Sequence, residues 1–281
     1  MADSPYKMLV LDLDGTALKW GNQLDPADIE AAHALQDAGV HVTIATGRLY
    51  GGTRWVGEAL GVRGSVAVMN GSERIAIEDH RRVQRAALPA HAMGLVRAVL
   101  ADRGLSAFLF RSEGIEHDER DAQHTPYLGI WTPELTAHPE LYGIPHWDLG
   151  DTLAVGALGD HDAVEAAHGV LHEALTDAGI DTVGMRRFDT FTGERFMKIR
   201  DKRVDKGTAI EALAAERGLT AEQTVVIGDW TNDLPMLERA GLSFAMGESI
   251  QQVQDTADAV LESKRGEGGA VAEVAKKVFG L

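Results

Sequence analysis

Four short, mostly apolar stretches of this chain each run straight into polar residues, and that repeated grammar constrains the fold more than any other feature. Met8-Leu9-Val10-Leu11 leads into Asp12-Leu13-Asp14-Gly15-Thr16, and Val40 to Ala45 leads into Thr46-Gly47-Arg48. Val66-Ala67-Val68-Met69 ends at Asn70-Gly71, and Thr224-Val225-Val226-Ile227 ends at Gly228-Asp229. Apolar runs of this length fit strands covered on both faces, as in a parallel sheet. Helix signals separate them. Asp25 is a good N-cap, Pro26 suits the first helical position, Asp28 favours the first-turn dipole, and Gly39 suits a left-handed C-cap. A second helix is expected from Trp55 to Leu60. Alternating strands and helices predict an α/β chain with a doubly wound, Rossmann-like parallel sheet. In such sheets ligands bind beyond the carboxyl ends of the strands, which is where the polar residues lie.

The same grammar returns late in the chain. A helix is expected over Lys206 to Arg217 and a short one from Asp233 to Ala240. Ser243 to Met246 and Ala257 to Val260 read as strands, and Gly269 to Phe279 as a terminal helix. The middle differs. Strand candidates Ala107 to Phe110 and Leu153 to Ala157 sit among turn-like residues, and nine of the 11 histidines fall between His80 and His172. With 281 residues the chain has room for about two domains. The expected division is a core of residues 1–87 and 199–281 carrying an inserted α+β cap domain, residues 88–198.

Charge and composition narrow the function. A formal net charge of −16 argues against a nucleic-acid partner or an anionic lipid surface, both of which need basic footprints. Cysteine is absent, which removes disulfides, thiolate metal sites and a cysteine nucleophile. No apolar run approaches a membrane span, and the N-terminal residues lack the pattern of a leader. The expectation is a soluble, cytoplasmic globular protein with no nucleic-acid or membrane partner, its oligomeric state unspecified.

Asp12 and Asp14, two residues apart at a strand end, can aim two carboxylates at one small volume. With Asp229 they would repel one another unless a cation neutralised them. A hard divalent ion with oxygen ligands, Mg²⁺ above all, meets that need. Taken alone, an Asp-Gly dipeptide is better explained as a turn. The longer strings are more specific. Asp12-Leu13-Asp14-Gly15-Thr16 resembles the first motif of the haloacid dehalogenase superfamily, and Thr46 its second. Lys206-Gly207 resembles the third and Gly228-Asp229-Trp230-Thr231-Asn232-Asp233 the fourth. Thr46-Gly47-Arg48, Asn70-Gly71, Ala257-Asp258 and Gly268-Gly269-Ala270-Val271 further resemble the Cof-type branch, which inserts its cap between the second and third motifs. The likeness covers the two terminal thirds; it reaches the middle only in placement.

The resemblance implies a Mg²⁺-dependent phosphatase acting on a small phosphoester, with sugar phosphates as the default substrate class. Asp12 would be the nucleophile and Asp14 the general acid and base. Thr46 would hydrogen-bond the transferring phosphoryl group, and Lys206 would offset charge. Asp12, the backbone carbonyl of Asp14, and Asp229 would hold Mg²⁺, while Asn232 and Asp233 orient Lys206 and metal-bound water. Gly47, Arg48 and Asn70 would line the substrate. The cap would close over the site and set specificity.

Each residue also has a plainer reading. Lys206 alone is a solvated helix-start lysine, Thr46 a strand-end hydroxyl, and Asp233 a helix-dipole partner. Arg48 fits a substrate phosphate or a structural ion pair equally, and Asn70 fits a turn with Gly71. The functional readings hold only jointly. A phosphomutase would carry the same motifs, and a non-catalytic sensor would keep the fold but tend to lose an acid. Two further sets are weaker. Glu165, His168 and His172 share one side of a helix but flank its apolar stripe, so a solvated face is favoured. Arg186, Arg187 and Arg195 fit a polar hairpin surface as well as an anion contact.

Overall fold

The computed structural model describes residues 4–177, 183–189 and 193–281, with side chains described outside 176–192. The chain divides into two compact units: Met1–Arg48, Thr53–Gln84 and Val204–Leu281 in one, Leu49–Gly52 and Arg85–Arg203 in the other. The stretch 88–198 lies within the second.

The strands and helices, in chain order, begin β1 (Met8–Leu11), β2 (Leu18–Lys19), β3 (Gln23–Leu24), α1 (Pro26–Asp37), β4 (His41–Ile44), α2 (Tyr50–Ala59), β5 (Ser65–Val68), β6 (Glu73–Ala76) and β7 (Arg82–Arg85). The second unit continues with α3 (Ala90–Asp102), β8 (Ser106–Arg111), β9 (Gly114–Asp118), α4 (Thr125–Leu128), β10 (Leu135–His138), β11 (Ala154–Gly159), α5 (His161–Asp177), β12 (Val183–Asp189) and β13 (Arg195–Asp201). The first unit then closes with α6 (Lys206–Ala215), β14 (Thr224–Gly228), α7 (Leu234–Arg239), β15 (Leu242–Gly247), α8 (Gln251–Thr256), β16 (Ala259–Lys264) and α9 (Ala270–Val274).

The first unit is built on a five-stranded parallel sheet in the order β16-β15-β14-β1-β4. An Ala45–Ala67 bridge continues it toward β5. β1 sits inside the sheet, all four of its residues buried, which is why its sequence is uninterruptedly apolar. Met8, Val10, Val226, Ile210 and Leu213 belong to one apolar cluster that packs α6 onto the sheet. Burying side chains of this size stabilises by about 1.5–3 kcal/mol each. The chain order reverses between β14 and β4, on either side of β1, so Asp12 leaves the sheet at its switch point.

The helix signals act locally as expected. Asp25 accepts from the Ala27 N–H at 2.9 Å, and Gly39 takes φ +85°. Asp28 does more than complement a dipole. It is fully buried and accepts from the N–H groups of Gly269 (2.8 Å) and Ala272 (3.0 Å), tying α1 to the start of α9. The strand expected from Ala257 begins at Ala259, because the Asp258 carboxylate turns back to accept from Ser243 N and Oγ. The terminal helix is α9, continued by a π turn over Ala275–Phe279.

The second unit carries a six-stranded sheet in the order β10-β9-β8-β11-β13-β12. Its β8–β9, β8–β11 and β11–β13 pairs are antiparallel and β9–β10 is parallel. Helices α3 and α5 pack on it through Met93, Val96, Leu100, Val164, Ala167 and Leu171. That is an α+β layer pair with its own core. Among the described residues no helix is long and apolar enough to cross a membrane.

Candidate active site

The carboxyl ends of β1, β4, β5 and β14 bring the polar residues together, as the sheet order requires. The turn after β1 depends on Gly15. Its φ is +83°, and a Cβ there would lie 2.5 Å from Asp229 Oδ2. Glycine therefore serves both a left-handed backbone and the close approach of the β14 loop.

Lys206 is the centre of the arrangement. An Asp205–Thr208 capping box, with Thr208 N donating to Asp205 Oδ1 at 2.8 Å, fixes the start of α6 and places Lys206 on its first turn. The side chain is fully buried, contrary to what a helix-start lysine alone suggests. Its Nζ donates to Asp12 Oδ1 and, at 2.6 Å, to Asp233 Oδ1. Burial alone would lower the lysine pKa, but Asp12 and Asp233 outweigh it and hold the ammonium above its ordinary value.

Asp233 uses both carboxylate oxygens. Oδ2 accepts from the backbone N–H groups of Asp229 and Trp230, each at 2.9 Å, so one side chain shapes the β14 loop and anchors Lys206. A Cβ on Gly228 would meet the Asp233 Cβ at 2.6 Å, which is why the loop starts with glycine. Asp229 accepts from Thr16 Oγ1 at 3.3 Å and from Arg265 Nε at 2.5 Å. Burial and repulsion from Asp233 push the Asp229 carboxyl up to about 6, against the pull of Arg265. Burial also holds Asp12 well above the ordinary carboxylate range; Lys206 pulls it back, while Asp233, Asp229 and Asp14 add repulsion.

The remaining expected residues fall close by. Thr46 is fully buried; its Oγ1 accepts from Arg48 N at 3.2 Å. Arg48 makes a two-pronged pair with Asp14, Nε to Oδ2 at 2.9 Å and Nη2 to Oδ1 at 2.5 Å, and donates to Asn22 Oδ1 at 2.8 Å. Of its two sequence readings, the structure shows the ion pair. Asn70 has φ +55°, and its Oδ1 accepts from Asn232 Nδ2 at 3.0 Å. Asn232, read with Asp233 as orienting Lys206 and metal-bound water, donates here to Asn70, bridging the β5 and β14 loops. Gly47 lies against this pair: a Cβ there would sit in ordinary contact, 3.6 Å from Asn70 Oδ1 and 3.9 Å from Asn232 Nδ2.

Asp12, Asp229 and Asp233 offer carboxylate oxygens within 4.8 Å of one another. Three carboxylates face two cations, Lys206 and Arg265, and the excess negative charge suits a hard cation with oxygen ligands. Asp233 is engaged through both oxygens by Lys206 and two N–H groups, and Asp229 through both of its own by Thr16 and Arg265, so it is the three-carboxylate cluster as a whole that fits such an ion.

The family model of haloacid dehalogenase-like hydrolases matches residues 9–274. The chain belongs to the haloacid dehalogenase-like hydrolase family. Within curated proteins it is similar to the HMP-PP phosphatase of Yersinia pseudotuberculosis serotype O:1b, 27% identical over 250 residues, covering 89% of this chain and 86% of that protein. Its fold resembles a haloacid dehalogenase-like hydrolase from Bacteroides thetaiotaomicron, with TM-score 0.80 and 23% identity over 98% of this chain and 100% of that one. It also resembles a haloacid dehalogenase subclass IIB sugar phosphatase, with TM-score 0.76 and 19% identity over 98% and 99%.

For a member of this family, the site holds residues that the motifs do not announce. Arg265, at the end of β16, pairs with Asp229 and lies between two tryptophan faces, 4.8 Å from the Trp230 ring and 5.6 Å from Trp20. Both rings are exposed, Trp20 at 63% and Trp230 at 46%. The one available signal is compositional: two large aromatic residues in polar loops, each beside a motif. Glu165, His168 and His172 form a helix side next to the buried Val164, Ala167 and Leu171, with the two rings stacked at 5.7 Å and Glu165 paired to Arg195. The side chains of Arg186 and Arg187 lie outside the described residues.

Proposed function

We propose that this hydrolase is a Mg²⁺-dependent phosphomonoesterase acting on a small phosphorylated metabolite, a sugar phosphate, through an aspartyl-phosphate on Asp12. The observation that carries the reading is the buried Lys206, bridging Asp12 and Asp233 beside Asp229. A fully buried ammonium held by two carboxylates is costly to build for stability alone. It has a use where negative charge must be gathered and the cost of ionising a buried carboxylate nucleophile must be offset.

In the proposed reaction an Asp12 oxygen attacks phosphorus in line, forming the acyl-phosphate bond as the ester P–O bond breaks. Asp14 passes its proton to the leaving alkoxide, then accepts a proton from the water that attacks the acyl-phosphate. Water adds to phosphorus, phosphate leaves, and Asp12 is restored. The guanidinium of Arg48, on both oxygens of Asp14, holds that group as a carboxylate, so Asp14 takes up the proton it delivers only once this pair opens. Thr46 Oγ1 offers its hydrogen to a phosphoryl oxygen, and Lys206 counters the charge that accumulates on the phosphate. Mg²⁺, held by Asp12, Asp229 and the Asp14 carbonyl, would withdraw charge from the phosphoryl oxygens. Gly47 and Asn70 line the phosphoryl side. We assign the choice of leaving group to the inserted unit, whose loops the motifs do not cover.

The relatives support phosphate ester chemistry at class level: one is named for HMP-PP and another for sugar phosphates. The test is phosphate release from a panel of phosphorylated metabolites, with and without Mg²⁺ and without a bisphosphate activator. Asp12→Asn is expected to abolish turnover, and phosphate release by that variant would overturn the mechanism. A need for a bisphosphate would point to a mutase instead.

A further inference from the structure

A second cluster of ligating side chains lies within the inserted unit, outside the site above. β9 and β10 run parallel with Glu116 opposite Thr136, and residues two apart on a strand share a face. Glu116 and His138 therefore project to the same side of the sheet. The short turn Pro145–Asp148 brings His146 to the same place. His146 Nδ1 lies 2.7 Å from Glu116 Oε2 and His138 Nε2 lies 3.5 Å from the same oxygen. The three ligand atoms are all within 4.8 Å of one another.

Three features separate this cluster from an ordinary hydrogen-bonded pair. His138 Nε2 is a buried ring nitrogen with no hydrogen-bond partner, so the protein alone leaves it unsatisfied. The two imidazoles meet edge to face, at 86° with centroids 6.2 Å apart, so they do not stack. Glu116 is oriented from behind. Arg111 Nη1 donates to its Oε1 at 2.7 Å, and Arg111 Nη2 donates to Asp151 Oδ2 at 2.6 Å. That backing chain leaves Oε2 for the histidines, the kind of outer support that fixes a metal-binding carboxylate.

We infer that Glu116, His138 and His146 form a binding site for a divalent transition ion of the zinc class. Two imidazoles and one carboxylate suit Zn²⁺, which takes four nitrogen, sulfur or oxygen ligands; Mg²⁺ prefers an all-oxygen shell. The side chains remain partly exposed, and a four-coordinate ion held by three protein ligands would take its fourth from water. An ion there would satisfy His138 Nε2 and pin the 145–148 turn to β9 and β10.

The experiment uses the full chain, stripped with a chelator and then kept in excess Mg²⁺ to occupy the carboxylate cluster. Zn²⁺ is titrated by calorimetry, and Co²⁺ is followed by visible absorption. One equivalent of Zn²⁺ should bind, and Co²⁺ should give the intense visible bands of an imidazole-ligated, four-coordinate ion. Asp12→Asn should change neither result. His138→Ala, His146→Ala and Glu116→Gln should each weaken Zn²⁺ binding by about tenfold or more and remove the bands. Circular dichroism checks that each variant folds, and the Co²⁺ spectrum of the unaltered chain needs no variant. Absence of those bands in the unaltered chain, or full Zn²⁺ affinity in folded histidine variants, would overturn the inference.

Discussion

Replacing Asp233 by Asn tests whether one carboxylate holds both Lys206 and the β14 loop. Asp233 is fully buried; its Oδ1 takes Lys206 Nζ at 2.6 Å and its Oδ2 takes two backbone N–H groups at 2.9 Å. Asparagine keeps the shape but only one acceptor oxygen. Its NH₂ must then face either the ammonium or the two N–H donors. Breaking a buried ion pair from one side costs about 3–5 kcal/mol, and the retained oxygen places this change near ~3. At roughly 2–4 °C per kcal/mol, the melting temperature should fall by roughly 6–12 °C. The assay is thermal melting by circular dichroism in EDTA at neutral pH. Lys264→Ala is the control: that lysine pairs with Glu248 at the surface, and its loss should leave melting unchanged. If Asp233→Asn melts within about 2 °C of the unaltered chain, the claim that this carboxylate holds the site together is wrong.

Three other perturbations follow from the same geometry. Gly15→Ala forces an L side chain into φ +83° against Asp229 Oδ2; we expect kcat/KM to fall by about 100-fold, and near-normal kinetics would refute the close-approach argument. Arg265→Gln frees Asp229 Oδ2 of its guanidinium, so Mg²⁺ should bind about tenfold more tightly by calorimetry, and weaker or equal binding would show that Arg265 does not compete for that oxygen. Burial disfavours the Glu273 carboxylate, but Lys277, the N–H of Glu262 and both donors of Ser263 outweigh it and hold the group at about 2, below its ordinary 4.5. A carboxyl lowered on folding stabilises above the higher value and loses that contribution as pH falls through the lower one. The urea-midpoint gap between the unaltered chain and Glu273→Gln should therefore be constant above pH 4.5 and close toward pH 2; a gap that persists at pH 2 would refute the assignment.

Much of the fold was legible because its signals are local. Buried strands need unbroken apolar runs, and the four runs that end in polar residues lie where β1, β4, β5 and β14 end. Caps behave similarly: Asp25 and Gly39 act within their own turns. Where a side chain reaches across the fold, local reading misassigns it. Asp28 looks like a first-turn charge, yet its carboxylate serves backbone groups more than 240 positions away. Asn232, which the motif groups with Asp233 around Lys206 and metal-bound water, also bonds Asn70, 162 positions away and in left-handed backbone, a contact no local pattern announces.

The sequence by itself determined which chemical groups stand at the strand ends: the DxDGT string, Thr46, Lys206 and the GDxxND string, and with them the family. Those groups follow elements whose hydrophobic pattern fixes where each strand stops. The tertiary structure alone decided who touches whom. It joined Lys206 to Asp12 across 194 positions, put Arg48 on Asp14, set Arg265 between two tryptophans, and gathered Glu116, His138 and His146. The physical reason is that hydrophobic periodicity and capping act over a few residues and leave a trace in composition. Pairing between buried charges depends on which strands are neighbours, and no short stretch of sequence records that order.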